Sequence, residues 1–309
     1  INREMYNTTH RGGGMDFGED GFLYLSTGDQ ASYTSAQEID DNLDGGVLRI
    51  DVDMLGAPIS HAPRRFLQDS GVGNTHPDSE GLEVSGNFYY IPDTNPFNDI
   101  NGSVFEEYFT IGHRNPHRMT KDADTGIFYI GEIGEGYHEE INILSSGKNY
   151  GWPLFEGMGP GPDPDCVTEL YNNMEHEQPL MEFPRVEANA LIGGYVYRGS
   201  DIPSLDGKYI CADYGTGEEI WAVDITNGTY QVLGNFGPAD IISFGQGVDN
   251  ELYLMKLGNN VNLFKLTTPG IDYSSMPQTL TATGAFTDVP NLEVSEGFLP
   301  YELIDPFWS

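Results

Sequence analysis

Residues 112–153 read GHRNPHRMTKDADTGIFYIGEIGEGYHEEINILSSGKNYGWP, and the fold is decided in this stretch. Thr125-Gly126 marks a turn, and Ile127-Phe128-Tyr129-Ile130 behind it has the pattern of a short strand. Glu132-Ile133-Gly134-Glu135-Gly136 follows as a loop whose glycines free the backbone carbonyls to turn toward a ligand. Glu139-Glu140-Ile141-Asn142 opens the next strand, and Lys148-Asn149-Tyr150-Gly151-Trp152-Pro153 closes the unit. At its head, Arg114 and Asn115 precede Pro116, which biases Asn115 to an extended or turn conformation. An Arg beside an Asn in such a loop presents a rigid cationic fork and an amide to carboxylates or carbonyls.

Working outward, the turn-then-strand with a central tyrosine recurs. It appears as Asp20-Gly21-Phe22-Leu23-Tyr24-Leu25, as the stretch through Tyr129, as Asp206-Gly207-Lys208-Tyr209-Ile210, and as Asn250-Glu251-Leu252-Tyr253-Leu254. Each copy is followed by a glycine: Gly28, Gly131, Gly215 and Gly258. The spacing from Tyr209 to Tyr253 matches one propeller blade of roughly 40–45 residues. The earlier spacings are longer and leave room for insertions or an intervening blade. Further strands are expected over residues 46–52, 195–198, 219–224 and 261–266. Little helix is expected; residues 166–174 are the best short candidate, after a Pro-rich loop over 159–164. Many short strands, Gly-rich turns and repeats favour an all-β propeller over a sandwich.

The ordered series G-x-R-N-P, D-x-x-T-G, E-x-G, E-I-N and G-x-N-Y-G-W-P resembles the PQQ-dependent glucose/sorbosone dehydrogenase family. The likeness continues through Ile91-Pro92-Asp93-Thr94-Asn95-Pro96-Phe97, Gly193-Gly194-Tyr195-Val196-Tyr197-Arg198-Gly199 and Leu205-Asp206-Gly207-Lys208-Tyr209-Ile210, covering roughly residues 8–268. The resemblance implies a six-bladed β-propeller with pyrroloquinoline quinone (PQQ) and Ca²⁺ at its centre. It makes 1–268 the propeller, with an opening part expected before Ile1, and 269–309 an extension or the start of a further module. It implies that His10, ahead of the Gly-rich strand, is the general base taking the sugar hydroxyl proton, a task that suits a neutral imidazole. Arg114 and Asn115 match the quinone contacts, and Gly134 and Glu135 the positions whose carbonyls hold calcium, a hard ion that takes oxygen ligands. Glu135 departs from the family, which often has Pro there. Glu132, Glu139 and Glu140 are alternative calcium ligands or plain solvated acids. The glucose-oxidising members also carry a Lys and two Arg on late strands for the quinone carboxylates. Here Tyr214-Gly215-Thr216-Gly217-Glu218 and Gly237-Pro238-Ala239 stand in those places, and Lys256 is the candidate replacement.

Composition bounds the rest. The 309 residues suit one large β domain, and 38% hydrophobic content is enough for a packed core. Fourteen Lys and Arg against 48 Asp and Glu give a formal charge of −34. That excess argues against nucleic acid and against an anionic membrane surface, and reads as a solvated acidic coat. No stretch is apolar enough for a membrane helix, and residues 1–4 lack the apolar core of a signal peptide, consistent with a processed or truncated start. Cys166 and Cys211 form neither a C-x-x-C nor a haem-attachment motif, and their pairing is open. N-x-[ST] sequons stand at Asn7, Asn101 and Asn227.

The sequence therefore supports a secreted or periplasmic PQQ-type sugar dehydrogenase that oxidises an aldose or alcohol and passes electrons to an external acceptor. A second reading is a non-catalytic, calcium-stabilised binding propeller like the hedgehog-interacting proteins, favoured by the missing late cations. A calcium-dependent lactonase would need an ordered cage of acid and Asn side chains, which the sequence does not display.

Overall fold

The computed structural model describes residues 9–65, 89–166, 174–215, 219–235, 241–257 and 262–268, with the backbone of 286–288 and 293–294. The chain divides into two units, Ile1–Leu266 and Thr267–Ser309. In the second, Phe286–Asp288 pairs antiparallel with Glu293–Val294. Most of the expected short helix, most of the insertion after residue 65, Asn7, Gly258, Val261 and residues 216–218 and 237–239 lie outside the described residues.

The first unit is built of strands, in chain order β1 (Met15–Phe17), β2 (Leu23–Thr27), β3 (Gly46–Ile50), β4 (Ser60–His61), β5 (Ile91–Pro92), β6 (Tyr108–Ile111), β7 (Arg118–Lys121), β8 (Phe128–Glu132), β9 (His138–Ile143) and β10 (Phe155–Glu156). They continue as β11 (Gly159–Pro160), β12 (Met181–Pro184), β13 (Leu191–Val196), β14 (Lys208–Asp213), β15 (Glu219–Asp224), β16 (Tyr230–Asn235), β17 (Ile241–Gln246), β18 (Leu252–Lys256) and β19 (Asn262–Lys265). The described helix is limited to short 3-10 turns at Thr34–Gln37 and Pro203–Leu205.

Among the described residues, four antiparallel sheets have three or four strands: β1-β2-β3-β6, β7-β8-β9-β12, β13-β14-β15-β16 and β17-β18-β19. The four tyrosine repeats are their second strands, with Tyr24 in β2, Tyr129 in β8, Tyr209 in β14 and Tyr253 in β18. The first strands pack in series, β1 on β7, β7 on β13 and β13 on β17, so the sheets stand face to face around a common axis in the propeller manner. The long spacings between repeats are filled by excursions. The β4–β5 ribbon lies between the first two repeats and the β10–β11 ribbon between the next two, while the first strands on either side stay in direct contact.

Period-2 alternation explains why the first three sheets each feed a core cluster on both faces. On β14, Tyr209 and Cys211 join Tyr129, Ile141 and Phe183 of the second sheet, while Ile210 and Ala212 join Ile241, Phe244 and Leu252 of the fourth. On β15, Trp221 and Val223 face the second sheet, and Ile220 and Ala222 the fourth. Burying a large apolar side chain of this kind contributes about 1.5–3 kcal/mol. Near the axis the sheets approach so closely that a Cβ on Gly131 would lie 2.6 Å from Gly193 Cα, so glycine is required at that crossing. Cys166 and Cys211 are free thiols, both buried.

Candidate functional site

The site forms where β2 and β8 end and the segments before β1 and β7 meet them. Gly28 follows β2, and a Cβ there would collide with the His10 carbonyl and lie 3.0 Å from the Arg114 carbonyl. With no side chain at this position, the three segments lock together. The Asp29 N–H donates to Arg114 O at 2.8 Å and the Gln30 N–H to His10 O at 3.3 Å. His10, Gln30 and Ala31 all hold left-handed φ values of 51°, 53° and 61°. Non-glycine residues occupy that region at a cost, so one before β1 and two in succession after β2 mark a backbone over-determined by its surroundings.

Asp29 is the hub. Its side chain is fully buried. Oδ1 lies 2.7 Å from His10 Nδ1 and accepts the Ala31 N–H at 2.7 Å; Oδ2 accepts Trp152 Nε1–H at 2.7 Å. A carboxylate only accepts, so a proton sits on Nδ1, and in the neutral imidazole that leaves the lone pair on Nε2. The His10 side chain keeps 17% of its surface exposed, whereas Asp29 behind it is fully buried.

Arg114 lies over the Trp152 ring, its Cζ 5.3 Å from the indole centroid. Nη1 donates to Ile133 O at 3.0 Å, and the Arg114 N–H donates to Glu132. Nε is buried without a hydrogen-bond partner. Asn115 is tied through its backbone, its carbonyl accepting the Ile133 N–H at 3.1 Å, and its Oδ1 accepts the Gly12 N–H at 3.3 Å. Tyr33 meets the Trp152 edge at 5.6 Å and donates its hydroxyl to Glu135 Oε2 at 2.9 Å.

Behind this front lies a chain of buried acids. Glu132 meets His113 Nδ1 at 2.8 Å and accepts from Asn142 Nδ2 at 3.2 Å, and the same amide nitrogen donates to Glu140 at 3.1 Å. Burial, and after it the neighbouring Glu132, pushes the Glu140 carboxyl up to about 8. Burial likewise pushes Glu139 up to about 8, against the Leu191 N–H and Arg185. Arg185 Nη1 stands 2.8 Å from Glu139 Oε1 as an ion pair without hydrogen-bond alignment. The side chains of Glu132, Glu139 and Glu140 are thus engaged by backbone N–H, amide and cationic partners. Among the described residues, no group of three or more His, Cys, Asp or Glu is arranged to hold a metal ion.

The 133–138 loop offers carbonyls instead. The N–H groups of Glu135, Gly136, Tyr137 and His138 all donate to Glu156 Oε1, at 2.7, 2.9, 2.9 and 3.1 Å. Among the described residues, the Gly134 and Glu135 carbonyls accept no hydrogen bond. His10, Arg114, Asn115, Gly134 and Glu135 therefore share one neighbourhood, joined through Gly28, Trp152 and Tyr33. Lys256 ends β18 on the fourth sheet, buried, in the ladder opposite Ile241 and Asn262. Asp29, Tyr33 and Glu156 are site residues that the motif reading passed over. The signal for Asp29 was present, since it follows the glycine that closes the first tyrosine repeat.

The pattern of the family described as glucose/sorbosone dehydrogenase matches residues 87–265. The chain is 29% identical over 230 residues to the HIPL1 protein of Arabidopsis thaliana, covering 70% of this chain and 30% of that protein. It is 27% identical over 285 residues to the hedgehog-interacting protein of Homo sapiens, covering 84% of this chain and 33% of that protein. Among solved structures it is similar to the PQQ-bound form of an aldose sugar dehydrogenase from Streptomyces coelicolor, with a TM-score of 0.56, 20% identity and coverage of 84% of this chain and 62% of that one. The chain spans about a third of the length of these curated relatives.

Proposed function

Because this chain belongs to the glucose/sorbosone dehydrogenase family, we propose that it is an oxidoreductase converting an aldose or related alcohol to a lactone or carbonyl, with PQQ and Ca²⁺ as cofactors. The observation that carries this reading is the His10–Asp29 pair at 2.7 Å, with Arg114 over the ring of Trp152, whose Nε1–H donates to the same Asp29. His10 Nε2 takes the proton of the substrate hydroxyl, and Asp29 stabilises the imidazolium that forms. Arg114 supplies positive charge where negative charge develops.

The residues present fit the cofactors. Arg114 Nε is a buried donor that an anionic quinone oxygen would satisfy, and the Gly134 and Glu135 carbonyls are acceptors that a hard cation would satisfy. Arg114 and Asn115 would hold the quinone and Gly134 and Glu135 the calcium, with Lys256 as a further cation for the quinone carboxylates. When bound, the quinone supplies the two-electron acceptor for the hydride leaving the substrate carbon. An external acceptor would take up the electrons. A secreted or periplasmic setting follows from the same family reading, and no helix among the described residues is long and apolar enough to cross a membrane.

A second reading is a binding propeller, favoured by the similarity to the hedgehog-interacting protein over 84% of this chain. Titration of the Ca²⁺-loaded protein with PQQ, followed by absorbance and by dye-linked aldose oxidation, separates the two. The enzyme reading expects PQQ uptake, with His10→Ala removing about 10²–10⁴-fold of the rate while uptake is retained. If the Ca²⁺-loaded protein takes up no PQQ, the enzyme reading is wrong and the binding propeller stands.

A further inference from the structure

We propose that Glu156 is the positioning residue of the calcium loop: its carboxylate turns the Gly134 and Glu135 carbonyls toward the cation. This rests on the calcium reading above and names a residue that no family motif assigns. In a trans, planar peptide the N–H and C=O point in opposite directions. The N–H of Glu135 belongs to the same peptide as the Gly134 carbonyl, and the N–H of Gly136 to the same peptide as the Glu135 carbonyl. Both N–H groups point at Glu156 Oε1, at 2.7 and 2.9 Å. Both carbonyls must therefore point away from Glu156, which agrees with their accepting no hydrogen bond among the described residues.

Two further donors, from Tyr137 and His138, close the same cradle at 2.9 and 3.1 Å. Four consecutive backbone N–H groups around one oxygen form an anion-binding nest, and here the anion is a side chain of the protein. Glu156 is 1% exposed and comes from β10, in a ribbon separate from the sheet that carries the loop. The fit is close, since a Cβ on Gly134 would lie 2.6 Å from Glu156 Oε1 and would collide with the His138 carbonyl. The carboxylate also places negative charge behind the two carbonyls, where it favours a cation in front of them.

The test uses Ca²⁺ alone as the probe, by isothermal titration of the whole chain without quinone or substrate. Glu156→Gln keeps an acceptor oxygen and removes the charge; Glu156→Ala removes both. Tyr230→Phe is the control, because it removes a tyrosine hydrogen bond to a glutamate, Glu187, outside the site and leaves the nest intact. Loss of an outer partner of a metal ligand typically weakens metal binding about 10–100-fold. Glu156→Ala is expected in that range, Glu156→Gln between it and the unaltered chain, and Tyr230→Phe near the unaltered chain. Amide hydrogen exchange at residues 135–138 should quicken in Glu156→Ala even without Ca²⁺. Equal Ca²⁺ affinity in the unaltered chain and both Glu156 variants overturns this inference alone. Absence of Ca²⁺ binding by the unaltered chain overturns the calcium reading and this inference with it.

Discussion

Replacing Asp29 by Asn is the most demanding single test of the site. The carboxylate is fully buried and engages three groups at 2.7 Å: His10 Nδ1, the Ala31 N–H and Trp152 Nε1–H. Asn has nearly the same shape but one oxygen and one NH2 group. If its oxygen faces Trp152, its NH2 confronts the Ala31 N–H; if the amide is flipped, the NH2 confronts the indole N–H. One buried donor is left without an acceptor either way, at about 1–3 kcal/mol, and charge-assisted bonds weaken to neutral ones. A total near 2–4 kcal/mol in a unit of this size lowers the melting temperature by roughly 5–15 °C. The chemistry should suffer separately. With the NH2 toward His10, the imidazole accepts at Nδ1 and carries its proton on Nε2, where a base needs a lone pair. Dye-linked oxidation should then fall by about 10²–10⁴-fold, the range for loss of general-base assistance. Scanning calorimetry and steady-state rates read the two effects independently. An Asp29→Asn variant melting within about 1 °C of the unaltered protein would refute the hub assignment, and an unchanged rate would refute the role of His10.

Three further outcomes are expected. Glu139 and Glu140 have folded values raised to about 8 from an ordinary 4.5, so the native state keeps protons that the unfolded chain has released. Their stabilising contribution is complete below about 4.5 and is lost as pH rises through about 8; calorimetry between pH 6 and 9 should show a falling melting temperature, flattened by Glu140→Gln. Arg198 grips the fully buried Asp122 carboxylate through two bonds of 2.8 Å, and Arg198→Ala should cost about 3–5 kcal/mol in denaturant titrations by stranding that charge. Gly28→Ala would drive a methyl into the His10 carbonyl, and urea unfolding should show a loss of about 1–3 kcal/mol with weakened PQQ uptake.

The sheets were legible because their signal is local. The second strands alternate with period 2 behind a turn, and each tyrosine repeat became the second strand of its sheet. Strand ends were less legible, as with the run expected over 195–198, which is observed as Leu191–Val196. The Gly193-Gly194 pair, read only as a motif, lies inside that strand, where a register shift separates Ile192 from Tyr195. The site was legible by halves. Arg114 and Gly134 fall within one continuous motif, whereas the Asp29–Trp152 bond joins residues 123 apart in sequence. Nothing in a single sequence marks such a pairing. Glu156 escaped for a related reason: an acid three residues past the NYGWP motif carries no pattern of its own, and its meaning lies in four N–H groups from another loop.

The acidity of the chain also takes on a different physical sense. Fourteen basic residues cannot neutralise 48 acids, so a solvated coat was the natural reading of composition. Yet twelve Asp and Glu residues are buried among the described residues. Arg and Lys meet only some of them; many accept backbone N–H groups instead. Glu251 Oε1 takes those of Ser200 and Asp201 at 2.8 and 2.9 Å, Asp213 those of Asn189 and Ala190 at 2.7 and 3.1 Å, and Glu156 the four of its nest. Propeller loops leave runs of unpaired N–H groups, and a buried donor without an acceptor is costly. Acids supply the acceptors that Gly-rich turns lack, which ties part of the negative charge to the fold. Bulk salt screens exposed charges over about 10 Å at 0.1 M, and buried pairs far less. Salt should therefore act on the exposed acids and leave these inward ones, with the loops they hold, in place.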